Sequence, residues 1–345
     1  MSPRVLITGT TGYIGGHVLG PLVKKHPEYQ IVNFVRTEEQ AAIIESAFPT
    51  VETVLGDLDN SRVLESEASK ADVILNLASA DHIAGALSLI KGISLGNNKN
   101  AALIHISGTG IMTDMSTGPG NTAPKVYNDM SPSDIHEILS FDESHIHRDV
   151  EAAVIAAAAQ YNVKTAIISP PMIHGIGNGP VKRRSIQVPI LIENILKRGK
   201  AFQILEGENI WNSIHIDDVA AAVITLLEET FKGLESKVAW LPEGYYFVED
   251  AEFQWKDVSI AIAKVAHAKG LLKSDQVEKI TVEEASAMHP WALILWGGNS
   301  RGSAERLRAL GWKSSGKSFA EGLPDMIDAE VGEQEPGQQL TFAQK

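Results

Sequence analysis

The chain has 345 residues, 44% of them hydrophobic, a formal net charge of −13 and no cysteine. That length suits one large α/β domain with a smaller lobe; the acidic balance argues against nucleic acid as a partner, and the missing cysteines exclude disulfides, thiolate nucleophiles and cysteine metal ligands. No basic, apolar leader opens the sequence and no apolar run is long enough to span a bilayer, so a cytoplasmic protein with no membrane partner is expected.

The first predicted strand, Arg4–Thr8, stops at a glycine, and two further glycines follow at three-residue intervals into a helical pattern: Gly9-Thr10-Thr11-Gly12-Tyr13-Ile14-Gly15. Gly9 permits a tight turn, Gly12 lets the backbone approach a pyrophosphate, and Gly15 allows the helix to lie against the sheet. Free N–H groups and the positive end of that helix then face the phosphates. A dinucleotide is expected on this segment.

Further strands are predicted at Ile31–Val35, Val51–Leu55, Val73–Leu77, Leu103–Ser107 and Thr165–Ser169, separated by amphipathic stretches. Such near-continuous apolar strands suit a parallel sheet covered on both faces. The predicted fold class is α/β, a Rossmann-type doubly wound parallel sheet with a smaller, mostly C-terminal substrate lobe. Residues 1–180 form the nucleotide domain in this reading, and 181–330 form mainly the lobe, with some return to the core around 208–230. The lobe takes in the aromatic segment Trp240–Phe247 and helices near Trp255–Ala268 and Ser303–Leu310. A polar tail occupies 331–345.

The end of the second strand bears on cofactor choice. It reads Asn33-Phe34-Val35-Arg36, with no carboxylate to accept both ribose hydroxyls. Arg36 is suited to a bidentate contact with a 2′-phosphate, which favours NADP(H) over NAD(H). A solvated arginine opening the loop is the plainer alternative.

Several separated motifs resemble the extended short-chain dehydrogenase/reductase family, the NAD(P)-dependent epimerase/dehydratase group, across nearly the whole length. They are the glycine segment, Gly56-Asp57-Leu58, Asn76-Leu77-Ala78, Ser107-Gly108-Thr109, Pro170-Pro171-Met172-Ile173-His174-Gly175 and Ile214-His215-Ile216-Asp217-Asp218-Val219-Ala220. The resemblance implies that Asp57 and Leu58 contact the adenine and that Asn76, Leu77 and Ala78 line the cofactor cleft. It also implies that Pro170 and His174 belong to the loop closing over the nicotinamide, and that the Thr109 hydroxyl polarises a substrate carbonyl, with Ser107 as the neighbouring candidate.

The family's Tyr-x-x-x-Lys signature is absent. Counting from Glu151 and Tyr161, the Tyr position falls on Glu143 and the Lys position on His147. In this respect the chain resembles a fungal-type subgroup carrying His147-Arg148-Asp149-Val150-Glu151 instead. In one reading a helix presents Glu143, His147 and Glu151 on one stripe, and His147 beside a carboxylate exchanges protons. In the other, the relay is lost and these are polar residues at a helix start. Tyr127, in the long loop from Gly108 to His136, is a third candidate for the proton.

Plainer roles suit the remaining polar residues. His105 lies inside an apolar strand and reads as a hydrogen-bonded core histidine, Asp81-His82 as a helix cap, and His215 with Asp217-Asp218 as a cap tying the lobes together. Lys182-Arg183-Arg184 with Gln187 reads equally as an anion site or a solvated loop. Histidine spacing supports no metal site, because His145 and His147 point apart on a helix, and no Gly-x-Ser-x-Gly elbow follows a strand. The small residues Ala152 to Ala159 allow a possible homodimer contact or burial within one subunit. The leading expectation is an NADP(H)-dependent oxidoreductase acting on a carbonyl or hydroxyl of a small-molecule substrate. The alternatives are a non-catalytic NAD(P)-binding regulator, or a non-redox isomerase or cyclase using His147 and Glu143.

Overall fold

The computed structural model describes residues 2–332. Apolar, β-branched segments form the strands β1 (Arg4–Thr8), β2 (Gln30–Val35), β3 (Glu52–Leu55), β4 (Val73–Asn76) and β5 (Ala102–Ile106), followed by Lys164–Ser169 and Tyr245–Phe247. All seven lie parallel in one sheet, ordered β3, β2, β1, β4, β5, Lys164–Ser169, Tyr245–Phe247. The order reverses direction between β1 and β4, which opens a crevice at the carboxyl ends of the strands.

Alternate residues of each strand feed two cores. Val5 and Ile7 face one layer with Val18, Leu22, Val219 and Leu226, while Leu6 faces the other with Leu64, Leu89, Ile90 and Val154. Both faces of the sheet are thus covered by helices, as continuous apolar strands require. A third core, with Met172, Leu191, Phe202, Trp211, Trp255, Trp296 and Met326, belongs to the lobe. The lobe also contains the three-stranded sheet Ala251–Gln254, Ile210–His215, Met172–His174 and the pair Val277–Ile280 with Ala201–Ile204.

Several segments lie elsewhere than expected: Met172–His174, read within the nucleotide domain, pairs with Ile210–His215 in the lobe sheet, and the helix Glu305–Ala309, read as lobe, packs through Leu307 into the core of the main sheet. Tyr245–Phe247, read above as lobe, is the edge strand of the main sheet, because Tyr245, Tyr246 and Phe247 are buried between its layers and pair with Ile167, Ile168 and Ser169. The tail read from 331 begins inside the helix Phe319–Gly332, and the rest of it lies outside the described residues.

One buried carboxylate joins three separated parts of the chain. Asp129 is fully buried; its side chain accepts hydrogen bonds from the backbone N–H of Phe247 and of Arg306, each at 3.0 Å. Asp129→Ala leaves both N–H groups buried without an acceptor. A loss of about 3 kcal/mol of stability is expected, read as a lower urea midpoint at unchanged m-value. An unchanged midpoint would show that water replaces the carboxylate at no cost.

Candidate functional site

The glycine segment turns β1 into the helix α1 (Tyr13–Lys25). Gly9 has φ +84°, and a Cβ there would lie 2.5 Å from the Cα of Ala78 at the end of β4. The Gly12 N–H donates to the Gly9 carbonyl at 2.8 Å, and a Cβ on Gly15 would lie 2.3 Å from that same oxygen. The turn is therefore packed backbone against backbone. Among the described residues no side chain caps the first turn of α1, and the buried Thr10 hydroxyl has no partner. An uncapped helix N-terminus with an unsatisfied hydroxyl beside it fits a pyrophosphate group.

Other expected cofactor residues ring the same crevice at the strand ends. Arg36 is exposed just beyond β2 and takes part in no ion pair among the described residues. Asp57 is exposed after β3, its Oδ1 accepting from the Asp59 N–H at 3.1 Å, while Leu58 packs against the core beneath. Leu77 is buried and Ala78 exposed at the end of β4. Thr11 and Ile14 lie on the turn and first helical residues, Ile14 packing against the core. Tyr13 is engaged otherwise: its hydroxyl donates to the Gly175 carbonyl at 2.7 Å, joining α1 to the segment after Met172–His174, and burial pushes its pKa well up.

The candidate chemistry lies past β5. Ser107 and Thr109 are buried, and the Thr109 N–H donates to the Pro170 carbonyl at 3.0 Å, so the two neighbouring strand ends are tied together. The Thr109 hydroxyl has no partner among the described residues. His147 lies beside the neighbouring backbone: its Nδ1 is 2.6 Å from Asp81 Oδ1, and a Cβ on Gly108 would lie 3.2 Å from its Nε2.

Below this group Glu151 is fully buried; its Oε1 accepts from the hydroxyls of Ser107 and Tyr245. Burial raises the Glu151 pKa, and its Oε2 is unpartnered. His105 is buried, its Nδ1 2.8 Å from Asn76 Nδ2, and Asn76 Oδ1 accepts from the Thr8 hydroxyl at 2.6 Å. Burial lowers the His105 pKa to about 4, so the imidazole is neutral with its proton on Nε2.

Three expectations for the proton-handling residues need correction. The helix begins at Arg148, with His147 as its N-cap at φ +67°, so no helical stripe carries Glu143, His147 and Glu151. Glu143 is exposed in the turn before that helix. Tyr127 lies in the short strand Tyr127–Asn128, paired with Gly302–Ser303, and its hydroxyl donates to Glu137 Oε1 at 2.9 Å. Burial and that carboxylate push the Tyr127 pKa well up, and the Lys125 ammonium lies 4.6 Å from the ring centre. The phenol is thus held by a carboxylate.

The segment after Lys164–Ser169 approaches from the lobe. His174 is buried, its Nδ1 without a partner, and its ring meets the rings of His215 and Phe319 edge-on. Burial lowers the His174 pKa to about 4. His215 caps the helix Ile216–Thr230, and Asp218 accepts from the N–H groups of Ser315 and Gly316. Arg184 is paired with Glu330 and Glu193, and Arg183 donates to the Gly177 carbonyl, so of the basic triplet Lys182 alone shows no contact among the described residues.

Asp81 is the neighbour of His147 that the sequence did not disclose. The Asp81-His82 pair reads as a cap, and His82 does cap Ile83–Leu95, its Nδ1 accepting from the Gly85 N–H. Asp81 turns instead to His147, 66 positions away in the sequence. Glu151 gave a better signal, being an acidic residue one position from Val150 and three from Val154 on the buried face of a helix.

The sequence pattern of the NAD dependent epimerase/dehydratase family matches residues 5–97 and 116–239. The oxidase ucsJ of Acremonium sp is 30% identical over 344 residues, covering 96% of this chain and 98% of that protein. Among solved structures, the dTDP-glucose 4,6-dehydratase of Bacillus anthracis in complex with NAD superposes with a TM-score of 0.65 at 17% identity, over 96% of this chain and 98% of the other. DesIV of Streptomyces venezuelae, a dTDP-glucose 4,6-dehydratase with NAD and TYD bound, gives 0.67 at 16% identity, over 96% and 97%. With the parallel sheet and the glycine turn at its switch point, the match over most of its length makes this chain a member of the NAD dependent epimerase/dehydratase family.

Proposed function

We propose that the protein is an NADP(H)-dependent oxidoreductase acting on a carbonyl or hydroxyl of a small metabolite. The observation carrying this reading is the placement of the His147 imidazole beside Gly108 and Gly110, the residues flanking Thr109, whose hydroxyl is buried and unpartnered among the described residues, at the strand ends that also bear the uncapped start of α1. The backbone of Gly9 to Gly15 and the Thr10 hydroxyl would hold the diphosphate. Leu77, Ala78, Asp57 and Leu58 would line the crevice towards the adenine, and Pro170 and His174 would close its far side. The bound nicotinamide supplies the hydride acceptor or donor. Thr109 then has a hydrogen bond to give to the substrate oxygen, and His147 takes or returns one proton. A non-redox site built on Glu143 with His147 has less support, because Glu143 is exposed ahead of the helix. A cytoplasmic location and a homodimer through the exposed Ala152, Ala156 and Ala159 belong to the same proposal.

The test is a titration with NADPH and NADH, followed by nicotinamide fluorescence and melting temperature, and then a panel of carbonyls and alcohols. Binding of neither nucleotide would overturn the reading. Arg36→Ala is expected to weaken NADPH binding about 10-fold, the loss of one charge-assisted contact, and to leave NADH unchanged. Equal weakening of both would assign Arg36 no part in the choice.

A further inference from the structure

Resting on the proton role proposed for His147, we infer that Asp81 is its positioning residue: the carboxylate holds the Nδ1 proton of the imidazole, and Nε2, the atom over Gly108, is the one that exchanges a proton with substrate. Three independent features lead there. The Nδ1–Oδ1 distance of 2.6 Å is that of a charge-assisted hydrogen bond, between side chains only 13% and 32% exposed. Nε2 faces backbone without a side chain, since a Cβ would lie 3.2 Å from it at Gly108 and 3.8 Å from it at Gly110, the residues flanking Thr109. Finally, His147 adopts φ +67° at a helix N-cap, a position where extended backbone is usual. A left-handed histidine is uncommon and costs energy, and such strain collects where the direction of a side chain matters.

The other ionisable groups near His147 do not compete for Nδ1. From β5, His105 is neutral and its Nδ1 faces Asn76. On the helix that His147 caps, Glu151 binds the Ser107 and Tyr245 hydroxyls, and the Arg148 guanidinium donates to the carbonyls of Phe141 and Leu139. In the proposed reaction a substrate alcohol would lose its O–H proton to Nε2 and the hydride of its carbinol C–H to the nicotinamide, leaving a carbonyl, and the reverse would hold for reduction of a carbonyl.

The test is ¹⁵N NMR of histidine-labelled protein, with the His147 signals assigned by their disappearance in His147→Gln. Wild type is expected to show the Nδ1-protonated tautomer. In Asp81→Asn the amide N–H can face Nδ1 and reverse the tautomer, as an asparagine does beside a catalytic histidine. Asp81→Glu is expected to restore the Nδ1-protonated tautomer. His147 signals unchanged in Asp81→Asn would overturn the inference, as would an Nε2-protonated wild type. With an active substrate, kcat in Asp81→Asn should fall at least about 10-fold at unchanged cofactor affinity, and full turnover at every pH would overturn it as well. Failure of the oxidoreductase reading itself would appear separately, as wild-type protein that shows the expected tautomer but no turnover.

Discussion

His147→Gln is expected to lower kcat about 100-fold or more while NADPH affinity stays within about twofold of wild type. Glutamine approaches the length of histidine and can still hydrogen-bond to Asp81, so the half-buried space beside Gly108 stays filled. It cannot accept and release a proton near neutral pH, and that is the one property the proposal asks of residue 147. The glycine turn and the rim of the crevice do not include His147, which is why cofactor binding should survive. A fall in cofactor affinity to match the fall in kcat would mean that the imidazole holds the cofactor rather than the proton. Wild-type turnover in the variant would return the role to another group, with the Thr109 hydroxyl the first to examine.

The difference between what the sequence disclosed and what it did not follows the range of the interactions. Six strands of the main sheet were legible, because an apolar β-branched run that ends at a turn residue is a local signal. Their ends move by a residue: β4 stops at Asn76, because Leu77 already belongs to the turn that presses against Gly9. Tyr245–Phe247 was misplaced because only its pairing with Lys164–Ser169, some 80 positions earlier, makes it a strand of this sheet. The start of the helix at Arg148 was equally hidden. Four-residue spacing suggests a helix from Glu143 onwards, but Asp142 binds the N–H and hydroxyl of Ser144, and the left-handed backbone at His147 sets the first helical turn. Such local side-chain bonds compete with helix formation. The glycine turn was legible because it is built from contiguous backbone, Gly9 to Gly15. The group of Asp81, Gly108 and His147 comes from three loops, and no spacing within the chain encodes their meeting.

Gly15→Ala is expected to weaken NADPH binding more than about 100-fold and to remove the rise in melting temperature that the cofactor produces. The added methyl group would lie 2.3 Å from the Gly9 oxygen and 2.7 Å from its carbonyl carbon. Both are backbone atoms and cannot rotate away. Gly9 is itself pressed against Ala78, so the turn has no room to retreat and α1 must shift outwards instead. That movement withdraws the free N–H groups from the phosphates, and the overpacking costs the free protein about 1–3 kcal/mol as well. Gly20→Ala, one turn further along the same helix, separates the two effects: its nearest neighbour would be Phe48 at 3.8 Å, an ordinary contact. There the substitution should leave NADPH binding intact and stabilise the helix by about 0.5–1 kcal/mol, the usual gain of alanine over glycine. Equal NADPH affinity in both variants would show that the start of α1 does not hold the phosphates, and that these glycines serve only the packing of helix on sheet.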